Sequence, residues 1–160
     1  MILRKLGVFE RALLISDQHQ PFNIVGVVML ENPPAPEVLR RAFLILQSRH
    51  PLLQARIEGA YYVALPEQAL PFNVLARENS SMWKAIVERE MGTRLDSSNR
   101  LFRVTYLHGA ERSELILTCH HSLMDGTSGM NLVDELLRVC ASSTPLPALE
   151  VGPAPETRFP

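Results

Sequence analysis

Two adjacent histidines followed by Ser-Leu-Met and then Asp-Gly occupy residues 120 to 126, between a strand-like run and a helix-like run. An imidazole titrates near neutrality, so a neutral histidine at such a junction can take a proton from a hydroxyl or amine and later return it to a leaving group. Consecutive strand residues project to opposite sides, so only one of His120 and His121 faces a given cleft. Asp125, four residues on, is placed to fix the turn by accepting backbone hydrogen bonds or pairing with an arginine. Gly126 permits a positive φ and leaves space beside the histidine. Spacing alone leaves two other readings open. Structural histidines beside an ordinary Asp-Gly turn would look the same. A metal site on His120, His121 and Asp125 lacks a nearby fourth ligand and has neighbours pointing apart, so none is expected.

The elements that must position these residues follow from apolar periodicity. Residues 8–19 read as a short helix and 22–30 as a buried strand rich in β-branched residues. A helix starts at Pro36, with Val38, Leu39, Ala42, Phe43, Ile45 and Leu46 on one face, and stops at Pro51. Strands are expected over 52–57, 61–65 and 72–76, separated by proline-bearing turns. Asn79-Ser80-Ser81 offers caps to a helix whose stripe is Trp83, Ile86, Val87 and Met91, ending near Gly92. Residues 101–107 and 114–119 read as a hairpin around a polar loop. After Gly126 a helix carries Leu132, Val133, Leu136, Leu137 and Cys140. The order implies an α/β (α+β) sandwich, a mixed sheet flanked by helices. Residues 1–141 form the lobe, and the proline-rich stretch 142–160 reads as a linker.

Composition narrows the classes. The chain has 160 residues, 46% hydrophobic and 21% charged, which suits one globular domain or a piece of a larger protein. A net charge of -1 gives no reason to expect nucleic acid as a partner. No run approaches the length of a membrane span, and the apolar run at 12–15 is too short for an export signal, so a cytoplasmic location is expected. Cys119 and Cys140 have neither metal nor redox spacing and are expected reduced in the interior. His19, His50 and His108 are expected satisfied or solvated, Trp83 in the core, and Tyr61-Tyr62 in packing. Ser122 lacks the partners of a nucleophile.

His120-His121-Ser122-Leu123-Met124-Asp125-Gly126 resembles the HHxxxDG signature of the CoA-dependent acyltransferase superfamily. That superfamily includes chloramphenicol acetyltransferase, the plant BAHD enzymes, peptide-synthetase condensation domains and the polyketide-associated alcohol acyltransferases of mycobacteria. Ser128 with the apolar helix to Leu137 is similar to the DGxSxxxLxxEL continuation. Leu101-Phe102-Arg103 resembles the strand opening before the motif, and Arg49-His50-Pro51-Leu52-Leu53 the end of the first long helix. The resemblance implies one lobe of a two-lobed fold with a tunnel between the lobes. It implies that His121 is the general base, deprotonating an acceptor alcohol or amine that attacks an acyl-CoA or acylated carrier-protein thioester. His120 and Asp125 would then be structural, with Gly126 and Ser128 along the tunnel for the phosphopantetheine arm. No tightly bound cofactor is implied, and acyl carrier protein is a candidate partner.

Two departures accompany the resemblance. Leu53-Gln54-Ala55 stands where condensation-type relatives read LRT, so the arginine expected to hold Asp125 is missing, and Arg56 is the substitute on the same strand face. The DFGWG-like motif of the second lobe has no counterpart, so the chain reads as an N-terminal lobe that is expected to be inactive in isolation, and self-association through the face that the absent C-terminal lobe would cover is expected. A non-catalytic interaction or carrier-protein docking module of the same fold is the alternative, and an intact HHxxxDG favours the enzyme.

Overall fold

The computed structural model describes residues 1–66, 71–142 and 146–158. Two sheets form where the sequence implied one. The larger has the order β2 (Asn23–Glu31), β7 (Arg112–His120), β6 (Phe102–His108), β5 (Phe72–Ala76), antiparallel except for the parallel β5–β6 pair. The smaller has the order β1 (Ile2–Lys5), β4 (Tyr61–Ala64), β3 (Ala55–Glu58). Helices α1 (Val8–His19), α2 (Pro36–Arg49), α3 (Met82–Gly92) and α4 (Gly126–Ser142) surround them, and the turn at 67–70 lies outside the described residues.

β7 is central and its alternation serves two cores. Leu115, Leu117 and Cys119 face a cluster built with Leu39, Phe43 and Leu46 of α2 and Leu132, Leu136 and Val139 of α4. Ile116 faces the other way, into a cluster with Leu107 and Ile86 of α3. Such two-sided burial is why Leu115-Ile116-Leu117 is an unbroken apolar run at the middle of the strand. Its one buried carboxylate, Glu114, accepts from Arg77 Nε at 2.9 Å. Burial pushes the Cys119 thiol up to about 12, which keeps it protonated and unreactive.

Several boundaries differ from the sequence reading. The strand expected over 52–57 begins as a 3₁₀ turn, Pro51–Gln54, because Pro51 takes the first position of a helical turn, and β3 starts only at Ala55. β1 was not expected. Its edge position and two charged residues hide the apolar signal, yet it pairs along β4. Gly59, at φ 58°, supplies the left-handed residue of the tight β3–β4 turn. Met91, expected on the buried stripe of α3, is exposed. Of the two tyrosines, Tyr62 is fully buried and Tyr61 exposed. Cys140 is half-buried and, like Cys119, a free thiol.

The proline-rich tail is not loose where it is described. The Leu149 N–H donates to the Arg49 carbonyl at 2.7 Å, and the Val8 N–H donates to Glu156 Oε1 at 2.5 Å. A Cβ at Gly7 would meet that carboxylate, so the Glu156 side chain would have to move to admit one. Composition suggested a linker because prolines forbid periodic structure, but backbone and side-chain hydrogen bonds need no periodicity.

Candidate active site

The site grows out of the end of β7. The His120 N–H donates to the Leu101 carbonyl at 2.8 Å and the His121 N–H to the Phe22 carbonyl at 3.1 Å, so the two side chains leave the strand on opposite sides. His120 turns inward and is fully buried. The Ser122 N–H donates to its Nδ1 at 3.1 Å and the Ser122 hydroxyl lies 2.7 Å from the same atom. Nδ1 is therefore an acceptor, and the ring proton sits on Nε2. Nε2 faces Asp17 Oδ1 at 3.8 Å, beyond hydrogen-bond length. Burial, helped by the neighbouring His121 and opposed by Asp17, holds the His120 pKa below the ordinary histidine value, so the ring is neutral and the contact with Asp17 is not an ion pair.

His121 turns outward, half-buried, into a cleft of about 420 Å³. Its ring lies flat against Phe22, with centroids 5.2 Å apart and an interplanar angle of 16°. Its Nδ1 is buried without a hydrogen-bond partner, which leaves Nε2 as the nitrogen able to meet a molecule in the cleft. Around it stand Arg4, Glu10, Leu52, Met124, Asp125 and Ser128.

Asp125 stands directly before the first residue of α4. Its Oδ1 accepts from the Ser128 N–H at 2.7 Å, and its carbonyl accepts from the Gly129 N–H at 2.9 Å, the geometry of a helix N-cap. Those bonds, chiefly from Ser128, hold its carboxyl below the usual carboxylate range. The expected Arg56 partner is a correction. Arg56 donates to Glu58 Oε2 at 2.9 Å on the outer face of β3, whose inner residues are Ala55 and Ile57. Period-two alternation turns Arg56 away from the core side, and the helix terminus already satisfies Asp125. Gly126 is the first residue of α4 and is not among the positive-φ glycines, and a Cβ there would meet open space. Ser128 lines the cleft.

Four residues were missed by sequence reasoning. Arg4 and Glu10 form a two-pronged pair, Nη1 to Oε2 at 2.7 Å and Nη2 to Oε1 at 2.5 Å, with the guanidinium 4.8 Å above the Tyr62 ring. The Tyr62 hydroxyl donates to the Ser122 carbonyl at 2.6 Å, pinning the turn between His121 and Asp125. Asp17 accepts from the Phe22 N–H at 2.8 Å and pairs with Arg94 at 3.0 Å, fixing the residue on which His121 stacks. Among the remaining histidines, His50 is paired with Glu135 at 2.7 Å and His108 packs on Tyr106. No cluster able to hold a metal ion occurs among the described residues. Among them, no helix is long and apolar enough to cross a membrane.

Among curated proteins no relative matches. Solved structures do. Polyketide synthase associated protein 5 from Mycobacterium tuberculosis is 22% identical with a TM-score of 0.65, over 94% of this chain and 36% of that one. The first condensation domain of the calcium-dependent antibiotic synthetase is 19% identical at 0.72, over 92% and 40%. The X-domain from teicoplanin biosynthesis is 13% identical at 0.76, over 94% and 36%. The chain thus spans roughly two fifths of the length of these proteins and shares its fold with that part of them. The condensation domain family model matches residues 12–153, nearly the whole lobe including both histidines and their supporting helices, and the chain belongs to that family.

Proposed function

We propose that this chain is the base-carrying half of an acyltransferase site, with His121 as general base. The observation that carries the reading is the outward, stacked imidazole of His121, whose free nitrogen opens on the cleft beside a neutral, inward His120. An acceptor alcohol or amine gives its proton to Nε2 as its oxygen or nitrogen bonds to the thioester carbonyl carbon. The C–S bond then breaks, and the departing thiolate collects that proton from the imidazolium. His120 stays neutral, so no second positive charge opposes formation of that imidazolium. Asp125 serves by capping α4 and holding the 121–125 turn, not by pairing with an arginine. The donor is an acyl-CoA or an acylated phosphopantetheine arm of a carrier protein.

The test is His121→Ala in the full-length protein, followed by thiol release from acyl-CoA with a panel of alcohols and amines. Loss of transfer by at least about 10²-fold with an unchanged melting temperature is expected. Undiminished transfer would refute the base and favour the non-catalytic docking reading.

A further inference from the structure

The tail is fastened to the lobe at two places, and the stretch between them runs along the His121 cleft. At the near end Leu146 packs on the main core, Arg49 Nη1 donates to the Pro147 carbonyl at 2.6 Å, and the Leu149 N–H donates to the Arg49 carbonyl at 2.7 Å. Arg49 is itself paired with Glu135. At the far end stands one side chain. Glu156 Oε1 accepts from the N–H of Val8, the first residue of α1, at 2.5 Å, and its carboxylate fills the space that a side chain at Gly7 would take. Its Oε2 is buried without a hydrogen-bond partner. Between these ends Gly152, Pro153 and Pro155 line the cleft into which His121 opens.

The two fastenings differ in kind. The near one combines backbone bonds, an arginine and apolar packing, so no single bond decides it. The far one is a carboxylate with one oxygen unsatisfied in a buried place, a cost that sets against the bond made by the other. A charge-assisted bond at a helix start favours the fastened form by about ten- to hundredfold. Pro153 and Pro155 fix φ at their positions, so freeing Glu156 moves the segment as a piece.

We infer that residues 147–156 are a strap that narrows access to His121, closed by the seating of Glu156 on the start of α1 and opened by its release. The inference concerns entry to the cleft and holds whatever chemistry the ring performs.

The experiment measures how fast diethyl pyrocarbonate modifies each histidine of the 160-residue chain, resolved by peptide mass spectrometry, with His121→Ala assigning the signal of the adjacent pair. Glu156→Ala is expected to speed modification of His121 at least about threefold, part of the bias that one charge-assisted bond supplies, while the exposed His19 keeps its rate. Gly7→Ala attacks the same contact from the other side, because its methyl displaces the carboxylate, and is expected to act alike. Gly7 has φ −70°, so alanine takes that backbone without strain, and a melting curve confirms that each variant is folded. Glu156→Gln keeps an oxygen for the Val8 N–H but loses the charge, so it should speed modification less than Glu156→Ala does. An unchanged His121 rate in Glu156→Ala or in folded Gly7→Ala, or equal acceleration by glutamine and alanine at position 156, would overturn the inference.

Discussion

The two sheets are held in place by different physics. The inner strands of the four-stranded sheet, β6 and β7, are buried on both faces, and its main core joins residues from α2, α4, β5, β6 and β7 into one apolar cluster. The three-stranded sheet has a small core of Leu6, Ala55, Ile57, Tyr62 and Leu101, and the helix beside it is inverted. In α1 the buried residues are Glu10 and Asp17, while Val8, Phe9 and Ile15 are exposed. The large sheet thus relies on area, which is non-directional. The small one relies on the Arg4–Glu10 and Asp17–Arg94 pairs, which fix positions. His121 lies at the seam, its strand from the first region and its stacking partner Phe22 anchored by the second. A side chain on a seam inherits rigidity from one side and aim from the other.

The comparison breaks first if the large sheet is tolerant of cavities. Phe43 is 2% exposed and packs on Phe72 and Phe102 with centroids at 5.8 and 6.4 Å. Phe43→Ala is expected to cost about 3–5 kcal/mol in denaturant unfolding, the range for a buried aromatic lost to a cavity. A cost near 1 kcal/mol would show that this core collapses around the gap and is not what holds the fold.

Asp17 tests the other region. Asp17→Asn keeps the shape, and its amide oxygen can still accept from Phe22, but the charge facing Arg94 is gone. Arg94 is half exposed, so screening limits the ion pair, and a loss of about 1–2 kcal/mol is expected, below that for Phe43→Ala. The sharper readout is the His121 ring. Its NMR signals should lose the upfield shift that stacking on Phe22 imposes, whereas they should stay put in a Phe43→Ala chain that remains folded.

Legibility in the sequence divides along the same line. Regions built on area announced themselves: α2 runs from Pro36 to Arg49, and the β6–β7 hairpin and α4 fall where apolar spacing put them. Regions built on pairs did not. Periodicity reports where an apolar stripe lies, but α1 turns its acids inward, and nothing in local spacing couples Asp17 to Arg94 or Arg4 to Tyr62. At the site, the motif located His121 and Asp125 and strand alternation separated the two histidines. Of the two roles open to Asp125, accepting backbone hydrogen bonds or pairing with an arginine, the structure shows the first, with Oδ1 accepting from the Ser128 N–H. The clue was present, since Asp immediately before a helix with Ser three positions later is an N-cap arrangement.

A third expectation concerns pH. His120 is buried and neutral, with its folded pKa below the ordinary value near 6.5. The unfolded chain then binds a proton that the folded chain refuses as pH falls below 6.5, so this group's contribution is intact above that value and lost beneath it, until the folded pKa is reached. Unfolding free energy should decline as pH falls below about 6.5 on account of this ring alone. His120→Asn, which can still accept from Ser122, should flatten that part of the profile. An unchanged slope in the variant would place the proton elsewhere.

The smallest expected effect is the coupling between Arg56 and Asp125. Arg56 belongs to the outer face of the small sheet, where it meets Glu58 with both side chains substantially exposed, and such a pair contributes about 0–0.5 kcal/mol. Asp125 caps α4, so Asp125→Ala should cost about 1 kcal/mol by itself. If the two act separately, the double variant loses the sum, and the interaction energy from the cycle stays within about 0.3 kcal/mol of zero. A coupling near 1 kcal/mol would mean that Arg56 reaches the carboxylate after all. The small sheet would then be tied to the catalytic turn through its outer face as well as through Tyr62, and the seam would be a third ion-paired contact and not a helix cap.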